Sequence, residues 1–222
     1  MILIGSPLLA LTTRYPFTRY FFVDNSKENT NALKQRCAAS PINDRVDIRT
    51  GDCNELVNDI VSYIRTDERH SLNLAFLDPE GMELQWETVA KLATVRRMDL
   101  IINYPQGGLT RSMLQAFEKE SQTAVDNFFG DREWRKIYQD WRNKGKRFGI
   151  HRQLIDLYKG KLQALGYKEV LQDDQVGDEP LIRNARRRAP LYRLLFASKH
   201  PLGYDFWQKV TRKDIYGQRS LF

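Results

Sequence analysis

Short apolar runs alternate with amphipathic segments along the first half of the chain. Residues 19–24 (RYFFVD), 46–49 and 72–77 are rich in β-branched and aromatic side chains, which predicts three buried strands. Residues 99–103 (DLIIN) predict a fourth strand by the same pattern. Each of these runs stops abruptly at a polar residue, so the strands are expected to be short.

The segments between these runs have helical spacing. SKENTNALKQRCA follows the first strand, with Ser26 as a candidate N-cap, and CNELVNDIVSYIRT follows the second. Residues 86–94 predict a helix after the third strand. Strands that alternate with helices are typical of an α/β fold built on a parallel sheet.

The pattern changes after the fourth strand. Residues 111–150 form a polar and aromatic helical stretch that interrupts the alternation, which we interpret as an insertion or a lid. Residues 153–165 predict an amphipathic helix that ends at Gly166. The runs at 167–171 and 192–197 predict an antiparallel strand pair joined by DDQVGDEPLIRNARRRAP, and residues 201–222 predict a C-terminal helical extension.

The composition fits one ordinary globular domain. A chain of 222 residues can bury a sizeable core, so we expect a single domain over 1–222. With 41% hydrophobic and 28% charged residues, the chain does not have the composition of a disordered protein. No apolar stretch approaches the length of a membrane span, and the first residues lack the basic leader of a signal peptide. These features predict a cytoplasmic protein without membrane attachment.

The cysteines and histidines do not predict a metal centre. Cys37 and Cys53 are too few for a disulfide framework or a zinc site, and the three histidines are scattered along the sequence. Buried thiols are the ordinary interpretation of both cysteines.

The charge of the chain indicates a polyanionic partner. The formal net charge is +7 and the pI is about 9.4, and the field of a basic surface raises encounter rates with nucleic acid. The candidate nucleic-acid contacts are Arg142, Lys144, Lys146, Arg147, Arg186, Arg187 and Arg188. The alternative is that these residues form solvated charged connectors.

Polar side chains follow all four predicted strands. They are Asp24, Asp52, Asp78 and Asn103. Ligands of open parallel sheets bind outside the carboxyl ends of the strands, so four such endings predict a binding site there. The alternatives remain open: Asp24 and Asp52 can serve the helices that follow them, Asp78 can simply end its strand, and Asn103 can belong to a structural turn.

Parallel βα units followed by an antiparallel strand pair resemble class I S-adenosylmethionine-dependent methyltransferases. The resemblance implies that Asp24 holds the ribose hydroxyls of the cofactor, that Asp52 reaches the adenine amine, and that Asp78 lies where donor and acceptor meet. The candidate cofactor contacts are Gly5, Ser6, Asp24, Asn25, Asp52, Cys53 and Asp78, and the candidate catalytic residues are Asp78, Pro79, Asn103 and Tyr104.

The motif after the third predicted strand departs from one common methyltransferase pattern. Enzymes that methylate exocyclic amines of bases usually carry an acid or amide, two prolines and an aromatic residue, whereas this chain has DPEG at 78–81. The departure argues against methylation of a base amine by that motif alone. Asn103-Tyr104-Pro105 offers a second candidate, with an amide acceptor and an aromatic ring that can stack on a base.

Several uncommon strings point to a narrower family. FLDPEGMELQWETVAKLA, DLIINYPQGG, NFFG followed by EWRKIY, LYRLLFASKHPLGYDFW and the terminal GQRSLF together resemble the three-Cys-motif partner (TcmP) family of bacterial methyltransferase-like proteins. The resemblance covers nearly the whole chain. It implies a partner protein with a three-cysteine motif, of the radical-SAM iron–sulfur type, and a setting of phage or mobile elements.

One family feature is absent from the sequence. Family members begin with a strand and a glycine-rich turn of the form LFAGPG before the segment that matches GSPLLAL, whereas this chain starts at MILIGSPLLAL. The first strand is central in a Rossmann-type sheet, and its glycine loop lets the backbone approach the cofactor. We therefore expect a Rossmann-like sheet that lacks its first strand, through either a truncated gene model or a degenerate copy.

The sequence leaves two functions open. The leading expectation is methyl transfer from S-adenosylmethionine, either to nucleic acid or in a reaction carried out together with the three-cysteine partner. The missing first strand can make this form of the protein inactive. The alternative is a non-enzymatic scaffold that presents basic and aromatic surface to nucleic acid or to a protein.

Overall fold

The computed structural model of the chain describes residues 5–79, 81–145, 149–167, 180–184 and 186–211. Within these ranges the backbone forms nine α-helices and six β-strands, so the predicted mixed α/β class is confirmed. The chain divides into two compact units, Met1–Tyr63 and Ile64–Phe222, and each is described by itself below.

The N-terminal unit is built on a pair of parallel strands. Its elements are α1 (Ser6–Leu11), β1 (Tyr20–Asp24), α2 (Lys27–Cys37), β2 (Val46–Thr50) and the beginning of α3 (Cys53–Arg65). Strand β1 pairs with β2 in parallel, from Tyr20 opposite Val46 to Asp24 opposite Thr50. Both strands lie within one residue of the predicted bounds, because their apolar runs have sharp polar ends.

Local signals also fix helix α2. The Ser26 side chain accepts a hydrogen bond from the Asn29 N–H at 3.2 Å, so the predicted N-cap is confirmed. A hydrogen bond of 2.7 Å between the hydroxyls of Thr30 and Thr50 joins the helix to β2. The turn after β1 and the end of β2 are therefore held in one local arrangement.

The C-terminal unit contains a mixed sheet with strand order β3-β4-β6-β5. Its strands are β3 (Asn73–Leu77), β4 (Met98–Tyr104), β5 (Leu181–Arg183) and β6 (Pro190–Ala197). Its remaining helices are α4 (Trp86–Ala93), α5 (Gln106–Glu118), α6 (Ala124–Phe129), α7 (Glu133–Asn143), α8 (Ile150–Ala164) and α9 (Pro201–Thr211). Strands β3 and β4 are parallel, and β6 runs antiparallel to both β4 and β5.

The end of the sheet differs from the sequence interpretation. Of the predicted strand 167–171, Tyr167 lies in a loop after α8, and residues 168–171 fall outside the described ranges. The strand that pairs with β6 at the edge is β5, which lies in the segment that was predicted to join the two strands. A three-residue strand is too short to show an alternating pattern, which explains why the sequence did not reveal it.

The stretch predicted as an insertion contains helices α6 and α7, most of α5 and the first residue of α8. Helix α5 begins at Gln106, two residues after β4, so the helical stretch starts earlier than residue 111. Helix α8 ends before Gly166, whose φ of +90° is the left-handed conformation expected of a glycine after a helix.

The core of this unit combines strand β4 with an aromatic cluster. Leu100, Ile102 and Tyr104 of β4 are fully buried. Phe128 stacks on Tyr158, with ring centroids 5.0 Å apart. The burial explains why strings such as NFFG contain so many rings, since aromatic side chains bury large apolar areas.

Helix α9 is the described part of the predicted C-terminal extension; residues 212–222 lie outside the described ranges. Its Trp207 ring stacks on Phe196 of β6, with centroids 5.0 Å apart. Across the described parts of the chain, no helix combines the length and apolar character needed to cross a membrane.

Candidate functional site

Strands β3 and β4 end side by side. Leu77 lies opposite Ile102 in the parallel register, and the next residues along the two strands are Asp78 and Asn103. The Asn103 Nδ2 group donates a hydrogen bond to Asp78 Oδ1. The structure therefore brings together the two candidate catalytic residues that the sequence placed 25 positions apart.

The two partners differ in their surroundings. Asp78 is exposed, whereas Asn103 is only 4% exposed. Because only the amide nitrogen can donate to a carboxylate, the amide oxygen of Asn103 points elsewhere, and it has no hydrogen-bond partner among the described residues. A buried side-chain oxygen without a partner costs about 1–3 kcal/mol, so Asn103 is held in its position at a cost in stability.

Pro79 and Tyr104 flank this pair. Pro79 is half-buried and has no N–H, so it ends strand β3 without leaving a donor unpaired. Tyr104 is fully buried, and its ring packs edge-on against Phe128 with centroids 5.9 Å apart. Burial raises the pKa of the Tyr104 hydroxyl well above its ordinary value. The ring therefore lies in the core, where no base can stack on it.

A histidine that the sequence did not single out lies beside Tyr104. His151, near the start of α8, contacts the Tyr104 hydroxyl through Nδ1 at 3.3 Å and the Thr110 hydroxyl through Nε2 at 2.8 Å. Burial, with a further contribution from the charge of Arg193, lowers the His151 pKa to about 4. The imidazole is therefore neutral at pH 7 and serves as a hydrogen-bonding group.

Arg193 completes this second polar cluster. It lies opposite Tyr104 on β6, and its Nε donates to Gln106 Oε1 at 2.8 Å. No local signal in the sequence marks His151 or Arg193, because their partners are distant in the chain. Only the pairing of β4 with β6 and the packing of α8 bring these side chains together.

In the N-terminal unit, Asp24 already has local partners. Its Oδ1 accepts from the Ser26 N–H at 2.7 Å, and the Asn29 amide donates to Oδ1 at 3.3 Å and to Oδ2 at 3.1 Å. Asn25 is exposed beside it. The carboxylate thus organises the start of α2, and it keeps a free lone pair on Oδ2 among the described hydrogen bonds.

Asp52 has a similar position after β2. Its Oδ1 accepts from the backbone N–H and the side-chain amide of Asn54, each at 2.8 Å. No described hydrogen bond uses Oδ2, so this oxygen can accept from a ligand hydroxyl or amine. The Gly51 N–H donates to the Asp24 carbonyl at 3.1 Å, which brings the two strand ends together. Cys53 begins α3 with a half-buried thiol.

As hydrogen-bond acceptors, Asp24 and Asp52 suit a nucleotide-like cofactor, because carboxylate oxygens accept hydrogen bonds from ribose hydroxyls and adenine amines. Gly5 and Ser6 give no such indication. Gly5 has a φ of −73°, which any residue adopts, and a side chain there would meet only the ring of Pro7. Ser6 begins the six-residue helix α1.

The candidate nucleic-acid contacts fall into two groups. Arg142 and Lys144 are exposed at the end of α7, where the Arg142 guanidinium lies 5.7 Å from the Phe117 ring centroid. Lys146 and Arg147 lie outside the described residues. Arg186, Arg187 and Arg188 are exposed in the turn between β5 and β6. The described residues contain no group of three or more metal-ligating side chains.

Comparisons with known proteins do not add an identity to this geometry. No protein-family model, no curated protein and no solved structure matches the chain.

Proposed function

We propose that this chain is an S-adenosylmethionine-dependent methyltransferase-like protein with a Rossmann-like fold that methylates an amine. It acts on nucleic acid or together with a partner protein that carries a three-cysteine motif, as its resemblance to the TcmP family implies, and we place it in the cytoplasm. The observation that carries the proposal is the exposed Asp78 carboxylate at the end of β3, which accepts a hydrogen bond from the buried Asn103 amide at the end of β4.

The strand pairing supports the Rossmann-like assignment. In the doubly wound order 3-2-1-4-5-6, the first strand lies between the second and the fourth. If β1 to β4 correspond to the second to fifth strands of that order, a sheet without its first strand has the neighbours 3-2 and 4-5. The parallel pairs β1-β2 and β3-β4 are these neighbours.

The chemistry of the site follows from this pair of side chains. The exposed Asp78 carboxylate accepts a hydrogen bond from an N–H group of a primary amine, and Asn103 holds that carboxylate in position by donating to Asp78 Oδ1, so the nitrogen lone pair is oriented. Asp78 is exposed, so it can pass to solvent the proton that the amine loses on methylation. When bound, S-adenosylmethionine supplies an electrophilic methyl group and keeps on its sulfur the electron pair of the broken S–C bond.

Two sets of residues carry the remaining assignments. Asp52 Oδ2 and Asp24 Oδ2 are the acceptors for the hydroxyls and amine of the cofactor. Pro79 ends β3 next to the acceptor site, and Tyr104 supports the end of β4 from the core.

Calorimetric titration with S-adenosylmethionine tests the cofactor assignment. The wild-type chain should give saturable heat, and Asp52→Ala should abolish it. Asp59→Ala is the matched control, because Asp59 is an exposed acid on α3, the helix that directly follows Asp52. Absence of heat from the wild-type chain, or equal binding by Asp52→Ala, would contradict the proposal.

A second candidate is a non-enzymatic scaffold. It is favoured by the observation that Asp24 and Asp52 already cap the turns that follow their strands. Under this alternative, Asp24→Ala and Asp52→Ala weaken folding without changing any response to S-adenosylmethionine, because the chain does not bind the cofactor.

A further inference from the structure

The turn between β5 and β6 presents arginine side chains from a fixed backbone. The Asn184 side-chain oxygen accepts from the backbone N–H groups of Arg186 and Arg187 at 3.0 and 2.9 Å. The Asn184 N–H donates to the Ala189 carbonyl at 2.9 Å, and Arg188 has a φ of +51°. These bonds close the turn locally, so the arginines project from a defined tip.

The tip is an uncompensated positive charge within the described part of the chain. Arg183, Arg186, Arg187 and Arg188 are all exposed, and we call these four residues the arginine tip. No described carboxylate forms an ion pair with any of them. Elsewhere the described arginines include three that pair with acids: Arg49 with Asp47, Arg135 with Asp126 and Arg152 with Asp156.

Exposed guanidinium groups suit phosphate, and within the tip the Arg183 guanidinium also donates to the Arg188 carbonyl at 3.0 Å. A guanidinium offers a planar fork of N–H donors that binds phosphate oxygens in pairs, and it is more weakly hydrated than an ammonium group. The tip joins the last two strands of the four-stranded sheet, β5 and β6. Double-stranded DNA carries one phosphate charge per about 1.7 Å of helix axis, so a short cluster of arginines can meet several phosphates at once.

We infer that the arginine tip binds the phosphate backbone of double-stranded DNA. The inference rests on the proposed function in one point: it identifies double-stranded DNA as the nucleic acid whose amine is methylated. Binding itself requires neither the cofactor nor the reaction, so it can be measured without S-adenosylmethionine.

Fluorescence anisotropy with a short labelled DNA duplex tests the inference. If the four arginines each contact a phosphate, log K should fall with log salt concentration with a slope of at least about −3.6. The triple variant Arg186→Gln, Arg187→Gln, Arg188→Gln should make this slope shallower by about 2.7. It should also lose at least about tenfold in affinity at low salt, where phosphate contacts contribute most.

The matched control removes the same charge elsewhere. The control is the triple variant Lys27→Gln, Lys34→Gln, Arg36→Gln, which removes three positive charges from exposed positions of α2. It should keep the wild-type slope of log K against log salt concentration. Circular dichroism of both variants verifies that they fold. Equal slopes for the arginine-tip variant and the wild-type chain would overturn the inference.

The outcomes separate this inference from the proposed function. A chain that binds duplex DNA through the arginine tip but gives no heat with S-adenosylmethionine keeps the inference and contradicts the methyltransferase proposal. A chain that binds the cofactor but shows no salt-dependent binding of DNA contradicts the inference about the arginine tip and keeps the methyltransferase proposal.

Discussion

Two buried polar side chains in the C-terminal unit have opposite surroundings. Asp126 is fully buried at the start of α6, and every hydrogen-bond acceptor position of its carboxylate is well supplied. The carboxylate accepts two hydrogen bonds from Thr123, from its N–H at 2.8 Å and its Oγ1 at 2.7 Å. It also accepts from Trp134 Nε1 at 2.9 Å, and from Arg135 through Nε at 2.9 Å and Nη2 at 2.8 Å. Asn103 is almost as buried, yet its carbonyl has no described partner.

The difference separates a structural network from a site. The donors around Asp126 come from α6 and α7, so they join two helices and lower the carboxyl pKa far below its ordinary value, against the opposing effect of burial. The Asn103 carbonyl joins nothing within the described residues. A buried acceptor that has no hydrogen-bond partner costs stability and joins no elements of the fold, so it is a candidate for function. A buried acceptor with all its hydrogen bonds made is explained by folding alone.

Removal of the Asp126 carboxylate should give the largest effect. Asp126→Ala leaves the Arg135 guanidinium and the Trp134 N–H without their partner, so we expect a loss of about 3–5 kcal/mol in the free energy of unfolding. Urea denaturation measures it. A loss below about 1 kcal/mol would show that the network contributes little, and the contrast with Asn103 would no longer hold.

Asp78→Asn should reduce catalysis without affecting folding. The side chain is exposed, and the substitution removes the negative acceptor while keeping its shape. We expect methyl transfer to fall by about 10²-fold or more, which corresponds to about 2.7 kcal/mol in transition-state stabilisation. Transfer of a labelled methyl group measures the rate. The control is Glu87→Gln, an exposed acid on α4, and an equal loss in both variants would contradict a specific role for Asp78.

His151→Gln should change how stability depends on pH. The His151 pKa falls from its ordinary 6.5 to about 4 in the folded chain, so the unfolded chain binds more protons between these values. The stability of the wild-type chain should therefore decrease as pH falls from about 6.5 to about 4. Gln keeps a hydrogen-bonding group for Thr110 but does not titrate, so this part of the loss should disappear.

Denaturation at a series of pH values distinguishes the two regions. Asp126, whose pKa is lowered, loses its contribution only as pH falls below the ordinary carboxyl value of 3.8. If His151→Gln and the wild-type chain lose stability in parallel between pH 6.5 and 4, the buried neutral imidazole is contradicted.

Asn103→Leu should change stability far less than Asp126→Ala, which gives the clearest contrast between the two buried side chains. The substitution removes the unpaired buried carbonyl, and the exposed Asp78 can exchange its lost hydrogen bond for water. We expect the free energy of unfolding to stay the same or rise by about 1 kcal/mol, while methyl transfer is lost. Thermal unfolding and the labelled-methyl assay measure the two effects. A marked loss of stability would mean that Asn103 is structural, like Asp126.

The sequence predicted the parts of the molecule that depend on neighbouring residues. The ends of β1 and β2, the Ser26 cap of α2 and the Gly166 end of α8 all agree with the structure, because each is set by contacts within a few residues. Strand β5 escaped prediction, since a three-residue strand has no pattern of its own. The polar endings of the strands were visible, although their separate roles were not.

The sequence by itself determined the mixed α/β class, the bounds of most strands and the presence of polar residues at their carboxyl ends. Only the tertiary structure decided that Asp78 pairs with Asn103, that the Asn103 carbonyl stays unpaired among the described residues, and that Tyr104 is buried. It also brought His151 to Tyr104 across 47 positions. The physical reason is that strand and helix patterns follow from local sequence, whereas burial and hydrogen-bond satisfaction depend on which distant segments pack together.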